Sequence, residues 1–212
     1  MNWLRTAAVV LAGALVVAVG PGSAAAGLPT DQLRGAVDRV LKTLEDPALK
    51  APGRLTERRA IIRKIANEIF DFNEIAKRSM ARHWQPLSDA QRTEFVSLFA
   101  DLLERSYISK IEAYGGEKIQ YNVERVEGEY SVVSTKIVST KGTEVPVDYR
   151  MIKRAGDKWL VYDVSIEGVS LVNNYRTQFN KIIQTQSYNE LVAKLKHKQD
   201  ELIAEDKGGK KK

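Results

Sequence analysis

The chain has no cysteine among its 212 residues and only two histidines. The first absence excludes a disulfide framework, a thiolate nucleophile and thiolate metal ligation, so the fold must be held by its core alone. His83 and His197 stand far apart, with no His-x-His or His-x-x-x-His spacing, and isolated imidazoles do not make a metal site. His83, beside Trp84, reads as a helix-end surface or capping residue, and His197 as part of a lysine-rich polar helix. A Gly-x-Ser-x-Gly elbow, a Walker loop and a dinucleotide fingerprint are also missing, which leaves nucleotide and serine-hydrolase chemistry without a motif. No metal or cofactor is expected.

Long apolar runs are scarce as well. The one candidate, Thr6 to Val19, follows Arg5 and ends at Gly20-Pro21. At about fourteen residues it falls short of the ~20 that cross a bilayer. Its flanks fit a signal peptide over residues 1–26, because Ser23-Ala24-Ala25-Ala26 supplies an A-x-A pattern with Ala24 and Ala26 at the small positions. Cleavage near Ala26 then releases one exported domain over residues 27–205. The formal net charge is +6, and much of the excess sits in residues 206–212, where Lys207, Lys210, Lys211 and Lys212 flank Gly208-Gly209. That segment reads as a basic disordered tail. A basic balance can favour nucleic acid or anionic headgroups, yet there is no Arg/Lys helix stripe and no RNP-type aromatic signature, so no nucleic acid is expected.

What the chain does have is apolar periodicity, in the order helices, strands, helices, which argues an α+β fold. Leu33, Val37, Val40, Leu41 and Leu44 recur at helical spacing from Thr30-Asp31 to Asp46-Pro47. A second helix carries Ile61, Ile62, Ile65 and Ile69. A third starts at Asp71, with Glu74 in the reciprocal capping position and Ile75 on its buried side. The clearest helix opens on a Ser88/Gln91 capping box and runs through Phe95, Leu98, Phe99, Leu102, Leu103, Tyr107, Ile111 and Tyr114 to Gly115-Gly116.

The period then drops to two. Ile119, Tyr121 and Val123 alternate with polar residues, a β-branched strand follows over Val132 to Thr140, and a third strand sets Val145, Val147, Tyr149 and Met151 against Pro146, Asp148 and Arg150. The fourth, Lys158 to Glu167, sets Leu160, Tyr162, Val164 and Ile166 against Trp159, Val161, Asp163 and Ser165. Four short-linked strands predict an antiparallel meander. Two helices close the chain, one with Val172, Tyr175, Phe179, Ile182 and Ile183, the other capped by Ser187 and Glu190 with Leu191, Val192 and Leu195.

Acid–base chemistry has three candidates, Asp148, Asp163 and Glu167. Asp148 is out of phase with its strand's apolar set and reads as solvated, whereas Asp163 shares a face with Trp159 and Val161. Pairing with an arginine such as Arg150 or Arg176 would give Asp163 a structural role. The remaining apolar surface serves either a filled core or a cavity, and periodicity does not separate the two.

The segment Trp159 to Phe179, WLVYDVSIEGVSLVNNYRTQF, resembles the W-x-V-x-D-x-x-x-E-G-V-S pattern of the MlaC (toluene-tolerance) family of phospholipid-binding proteins and the helix after it. The Phe95 to Gly115 segment, with its Phe-x-x-x-Phe spacing and its Tyr107 to Tyr114 end, resembles the family's central helix. Hopanoid-associated relatives share the Trp-to-Gly part, while Asn174-Tyr175-Arg176 is similar to the phospholipid branch. The resemblance implies an NTF2-like curved antiparallel sheet of about four strands, covered by N- and C-terminal helices that enclose an apolar pocket. It implies a periplasmic, non-catalytic carrier in a retrograde-type system that maintains outer-membrane lipid asymmetry. Its partners would be phospholipid, an outer-membrane lipoprotein–porin complex, and an inner-membrane ABC transporter with an MCE-domain protein.

Carry-over from the family, together with strand phase, puts Phe99, Leu103, Tyr107, Val145, Val147, Tyr149 and Val169 on the acyl pocket, with the headgroup near solvent. Glu167-Gly168 would make a sharp strand-to-helix transition and Ser170 would cap the following helix. Three alternatives stay open: a hopanoid or other isoprenoid-lipid carrier, an NTF2-like enzyme with Asp163 or Asp148 as base, and a structural adaptor with a filled core.

Overall fold

The computed structural model describes residues 27–51 and 53–208. The expected signal peptide and residues 209–212 of the expected tail lie outside the described residues. The order is α1 (Leu28–Glu45), α2 (Pro47–Lys50), α3 (Leu55–Ile69), α4 (Phe72–Met80), α5 (Asp89–Glu112), β1 (Lys118–Glu127), β2 (Tyr130–Val138), β3 (Glu144–Arg154), β4 (Lys158–Ile166), β5 (Val169–Ser170), α6 (Leu171–Thr185) and α7 (Tyr188–Gly208). The strands form one antiparallel sheet in chain order. It is the expected α+β architecture, with one strand more than the four anticipated. That fifth strand is two residues long, too short for an alternation to mark it.

Local chemistry accounts for the helix ends. The capping box at α5 is made in full, with Ser88 N donating to Gln91 Oε1 at 2.9 Å and Gln91 N to Ser88 Oγ at 3.2 Å. At α4 only half of the anticipated pair forms. Asp71 Oδ1 accepts from Glu74 N at 2.9 Å, but the Asp71 amide goes to the Val161 carbonyl at 2.9 Å. The Glu74 carboxylate turns instead to Arg78 at 2.7 Å and Arg154 at 3.3 Å. Asp46, read as a stop, also starts the short α2 by accepting from Ala48 N at 2.8 Å. Helix α5 ends at Glu112, before Gly115, and α7 continues to Gly208, past the anticipated domain end at 205.

Two β-bulges decide which side chains face inward. Opposed residues of an antiparallel pair share a face, so Tyr121, Thr135, Val147 and Ile166 form one inner row, and Val133, Tyr149 and Val164 the next. Between Tyr121 and Val123 the register shifts. The extra residue reverses the alternation, so Val123, expected inside, is 47% exposed and Glu124 turns in. A second shift opposite Arg150/Met151 does the same to β4. Trp159 and Val161 therefore share the inner face with Val164 and Ile166, not the face of Asp163 and Ser165.

Two apolar bodies result. Leu33 and Ala36 of α1 and Ile65 and Ile69 of α3 pack on the inner sheet residues Val133, Met151, Trp159 and Val161. Helices α4 to α7 make the other body around Met80, Phe95, Phe99, Leu102, Phe179 and Leu191. There the rings meet edge to face, with centroids 4.9 Å apart for Phe99 and Tyr175 and 5.0 Å for Phe99 and Phe179.

The inverted Glu124 closes the start of α1. Its Oε2 accepts from Thr30 N at 2.8 Å and from Thr30 Oγ1 at 2.5 Å, doing from another strand what the N-cap Gly27 has no side chain to do. A side chain at Gly27 would collide with that carboxylate. Glu124→Ala is expected to cost about 1–2 kcal/mol, or about 2–4 °C in melting temperature per kcal/mol for a chain this size. A thermal melt unchanged within a degree would refute the capping role.

Candidate functional site

The two bodies do not close on each other. Between them lies a cavity of about 790 Å³, within the ~300–1,000 Å³ typical of ligand sites. Its sheet wall is Ile119, Ile137, Val145, Val147, Tyr149, Val164 and Ile166, because the bulges keep these on one face. The opposite walls are Val37, Val40 and Leu41 of α1, Ile62 and Ile65 of α3, Phe99, Leu103, Tyr107 and Ile108 of α5, and Val172 and Tyr175 of α6. Val37, Val40, Leu103, Ile137 and Val145 remain only half-buried in spite of their chemistry. The surface they keep is directed into the cavity. Five further lining residues are exposed: Arg63 stands alone on α3, while Lys110, Ile111, Ala113 and Thr143 gather at one end. The cavity therefore opens between the C-terminal end of α5 and the β2–β3 turn.

The wall is almost wholly apolar in its depth. Burial pushes the Tyr149 phenol up to about 12. Burial, helped by the neighbouring Tyr107, does the same to Tyr175, also up to about 12, and Tyr107 itself is raised by burial. All three phenols stay neutral through the physiological range. Arg63 and Glu104, on the seam between α3 and α5, neutralise each other at 2.5 Å. Farther along that seam Glu112 is held by Arg58 at 3.0 Å and Arg59 at 2.8 Å.

Six of the seven residues anticipated at the pocket, Phe99, Leu103, Tyr107, Val145, Val147 and Tyr149, stand on the cavity wall. Val169 does not. It sits in β5, paired with Ile166, and is 61% exposed, because the strand-to-helix turn at Glu167 and Gly168 (φ 50° and 81°) swings it outside. The sequence reading missed the α1 and α3 walls and Tyr175. Their helical periodicity was legible but read equally well as filled core. Val164 and Ile166 were placed on one side of their strand without the bulge that brings it round to Val147 and Tyr149.

The candidate base Asp163 touches the cavity wall but is engaged otherwise. Its Oδ2 accepts from Ser170 Oγ at 2.6 Å and its Oδ1 from Val172 N at 3.0 Å, while Ser170 Oγ accepts from Asn173 N at 3.1 Å. Asp163 thus ties the start of α6 to β4 through a hydroxyl and an amide, and Arg176 goes instead to the Arg78 carbonyl at 3.0 Å. Asp148 pairs with Ser134 and Ser165 on the face away from the cavity. His83 lies 3.0 Å from Asn180 Oδ1, and His197 is 3.3 Å from Glu201 on the exposed face of α7. No cluster of His, Asp and Glu able to hold a metal occurs among the described residues, and none of their helices is long and apolar enough to cross a membrane.

A large, mainly apolar cavity, open at one end, on an α+β shell, defines a binding protein for an apolar molecule. The chain belongs to the MlaC family, whose model, described as MlaC protein, matches residues 34–197. It is similar to the intermembrane phospholipid transport system binding protein MlaC of Haemophilus influenzae, 23% identical over 141 residues that make up 65% of this chain and 66% of that relative, just under two thirds of its length. Among solved structures it is similar to the phospholipid-binding protein of Ralstonia solanacearum, determined in complex with a phospholipid. The TM-score there is 0.73 at 26% identity, covering 82% of this chain and 97% of the other.

Proposed function

We propose that this chain is a phospholipid carrier that holds the acyl part of its cargo in the cavity and presents the headgroup at the mouth between α5 and the β2–β3 turn. The observation that carries the reading is the unfilled apolar space between two otherwise well-packed bodies. A diacyl lipid crossing water exposes about 30 methylenes at roughly 0.8 kcal/mol each, so unassisted exchange is negligible. A wall about as apolar as a membrane interior makes the transfer nearly balanced, and direction can then be set by the complexes at either end. With an A-x-A signal for export, the compartment is the periplasm. The partners are an outer-membrane lipoprotein–porin complex and an inner-membrane ABC transporter with an MCE-domain protein, in a retrograde-type path that maintains outer-membrane asymmetry. Asp163 serves folding in this scheme, and no step calls for catalysis.

Native mass spectrometry of the mature chain, purified from its own compartment, tests the reading. The expected result is one phospholipid per chain, identified after denaturation. A ligand-free mass that persists after incubation with phospholipid vesicles would overturn it, and a hopanoid mass would replace the cargo.

A further inference from the structure

The charged groups in the depth of the cavity wall are engaged within the fold. Arg63 and Glu104 form an ion pair, and Asp163 has both oxygens committed to the start of α6. Two charges remain, Lys110 and Glu117, and neither is in an ion pair among the described residues. Both lie at the open end, Lys110 in the last turn of α5 and Glu117 just before β1, on either side of the Gly115-Gly116 turn. Lys110 Nζ rests 5.2 Å from the centre of the Tyr107 ring, a contact that holds the ammonium at the neck without cancelling its charge. Glu117 Oε2 accepts from Gly115 N at 2.7 Å, which fixes the carboxylate on the same rim. That amide also holds its carboxyl below the usual range, so it is ionised wherever the protein is folded near neutrality.

Resting on the carrier reading above, we infer that Lys110 and Glu117 read a zwitterionic, amine-bearing headgroup, with Lys110 meeting the phosphate and Glu117 the ammonium. A lipid whose chains fill the cavity must leave its phosphate at the neck, and Lys110 is the one unpaired lining cation there. A headgroup with a second, positive end then finds an unpaired carboxylate on the same rim. A headgroup with only the phosphate charge, such as a phosphoglycerol, gains from Lys110 and is opposed by Glu117.

The test loads the mature chain from vesicles of equal phosphatidylethanolamine and phosphatidylglycerol, and quantifies the bound lipids by mass spectrometry. Wild type is expected to favour the ethanolamine lipid by roughly two- to fivefold, the size that exposed ion pairs support. Glu117→Gln keeps the acceptor for Gly115 and should bring the ratio to near one, while Lys110→Gln should lower uptake of both lipids and leave a preference. Both residues border solvent, so unchanged thermal melts are expected to accompany these effects. Wild type that prefers neither lipid, or variants that match wild type in amount and ratio, would overturn the inference and leave the carrier standing. A wild type that takes up neither lipid would overturn the carrier reading itself.

Discussion

Val147→Glu is expected to cut bound lipid at least tenfold, whereas Val169→Glu leaves it unchanged. Val147 sits at the middle of the sheet wall, 3% exposed, between Thr135 of β2 and Ile166 of β4. Its backbone is pinned by Thr135 Oγ1, which donates to the Val147 carbonyl at 2.9 Å, so the strand cannot turn a new side chain outward. A carboxylate there meets Tyr149, Val145 and the apolar side chains of the helices across the cavity, while the lining cations are Arg63, already paired with Glu104, and Lys110, at the mouth. It must either draw water into the space or be neutralised at a cost of several kcal/mol. A tenfold loss needs only about 1.4 kcal/mol of that. Val169 faces solvent, and a charge there meets no cargo. Because Val147→Glu also strains a buried position, Leu103→Asp on the opposite, half-buried wall provides a second reading. Native mass spectrometry beside a thermal melt decides the matter. Folded Val147→Glu and Leu103→Asp proteins that keep a full complement of lipid would mean that the cargo lies elsewhere.

The contrast between those two valines shows how far the amino-acid sequence could be read. Helices and strands announced themselves by period, and the α5 stripe from Phe95 to Tyr107 proved to be both core and wall. Phe95 and Leu98 pack into the helical body, whereas Leu103 and Tyr107 face the cavity. Whether an apolar side chain meets another side chain or empty space is set by how far two bodies stand apart, which no local pattern encodes. The bulges were equally silent. One inserted residue costs little locally and yet reverses every later side chain on its strand, which is why Val123 came out and Val164 went in. Val169 failed for a third reason. Its place in a matching motif said nothing of the left-handed turn at Glu167 and Gly168 that carries it past the rim. The role of Asp163 was half visible. A structural role through an arginine was one of its readings, but the β4 bulge puts Trp159 and Val161 on the other face, and its partners are a hydroxyl and an amide rather than an arginine.

Glu112→Ala is expected to destabilise the fold by about 3 kcal/mol. Its side chain is only 11% exposed and those of Arg58 and Arg59 are 18% and 20%, so removing the carboxylate takes an ion pair from each of two guanidinium groups in a largely dry seam. At about 2–4 °C per kcal/mol the melt should fall by roughly 6–12 °C, and a loss under 2 °C would show the pair to be solvated in practice. The protonation state gives an independent check. Burial raises the Glu112 pKa, but hydrogen bonds from Arg59 and Arg58 outweigh it and hold the carboxyl below its ordinary value. A folded-state pKa below the unfolded one means that this stabilisation is fully present above the unfolded value, ~4.3. It is lost as pH falls through the lower, folded value. Wild type should therefore lose its advantage over Glu112→Gln below about pH 4 and keep it at pH 7. A parallel pair of stability curves would contradict the assignment. The position of the pair makes it more than a stability device. It ties α3, which carries the Ile62 and Ile65 wall, to the end of α5, beyond Leu103 and Tyr107. The small cluster of Leu44, Ile62 and Ile108 also joins these helices. When the tie is lost the seam keeps that small cluster and the Arg63–Glu104 pair. Lipid should then leave Glu112→Ala faster than wild type at temperatures well below either melt.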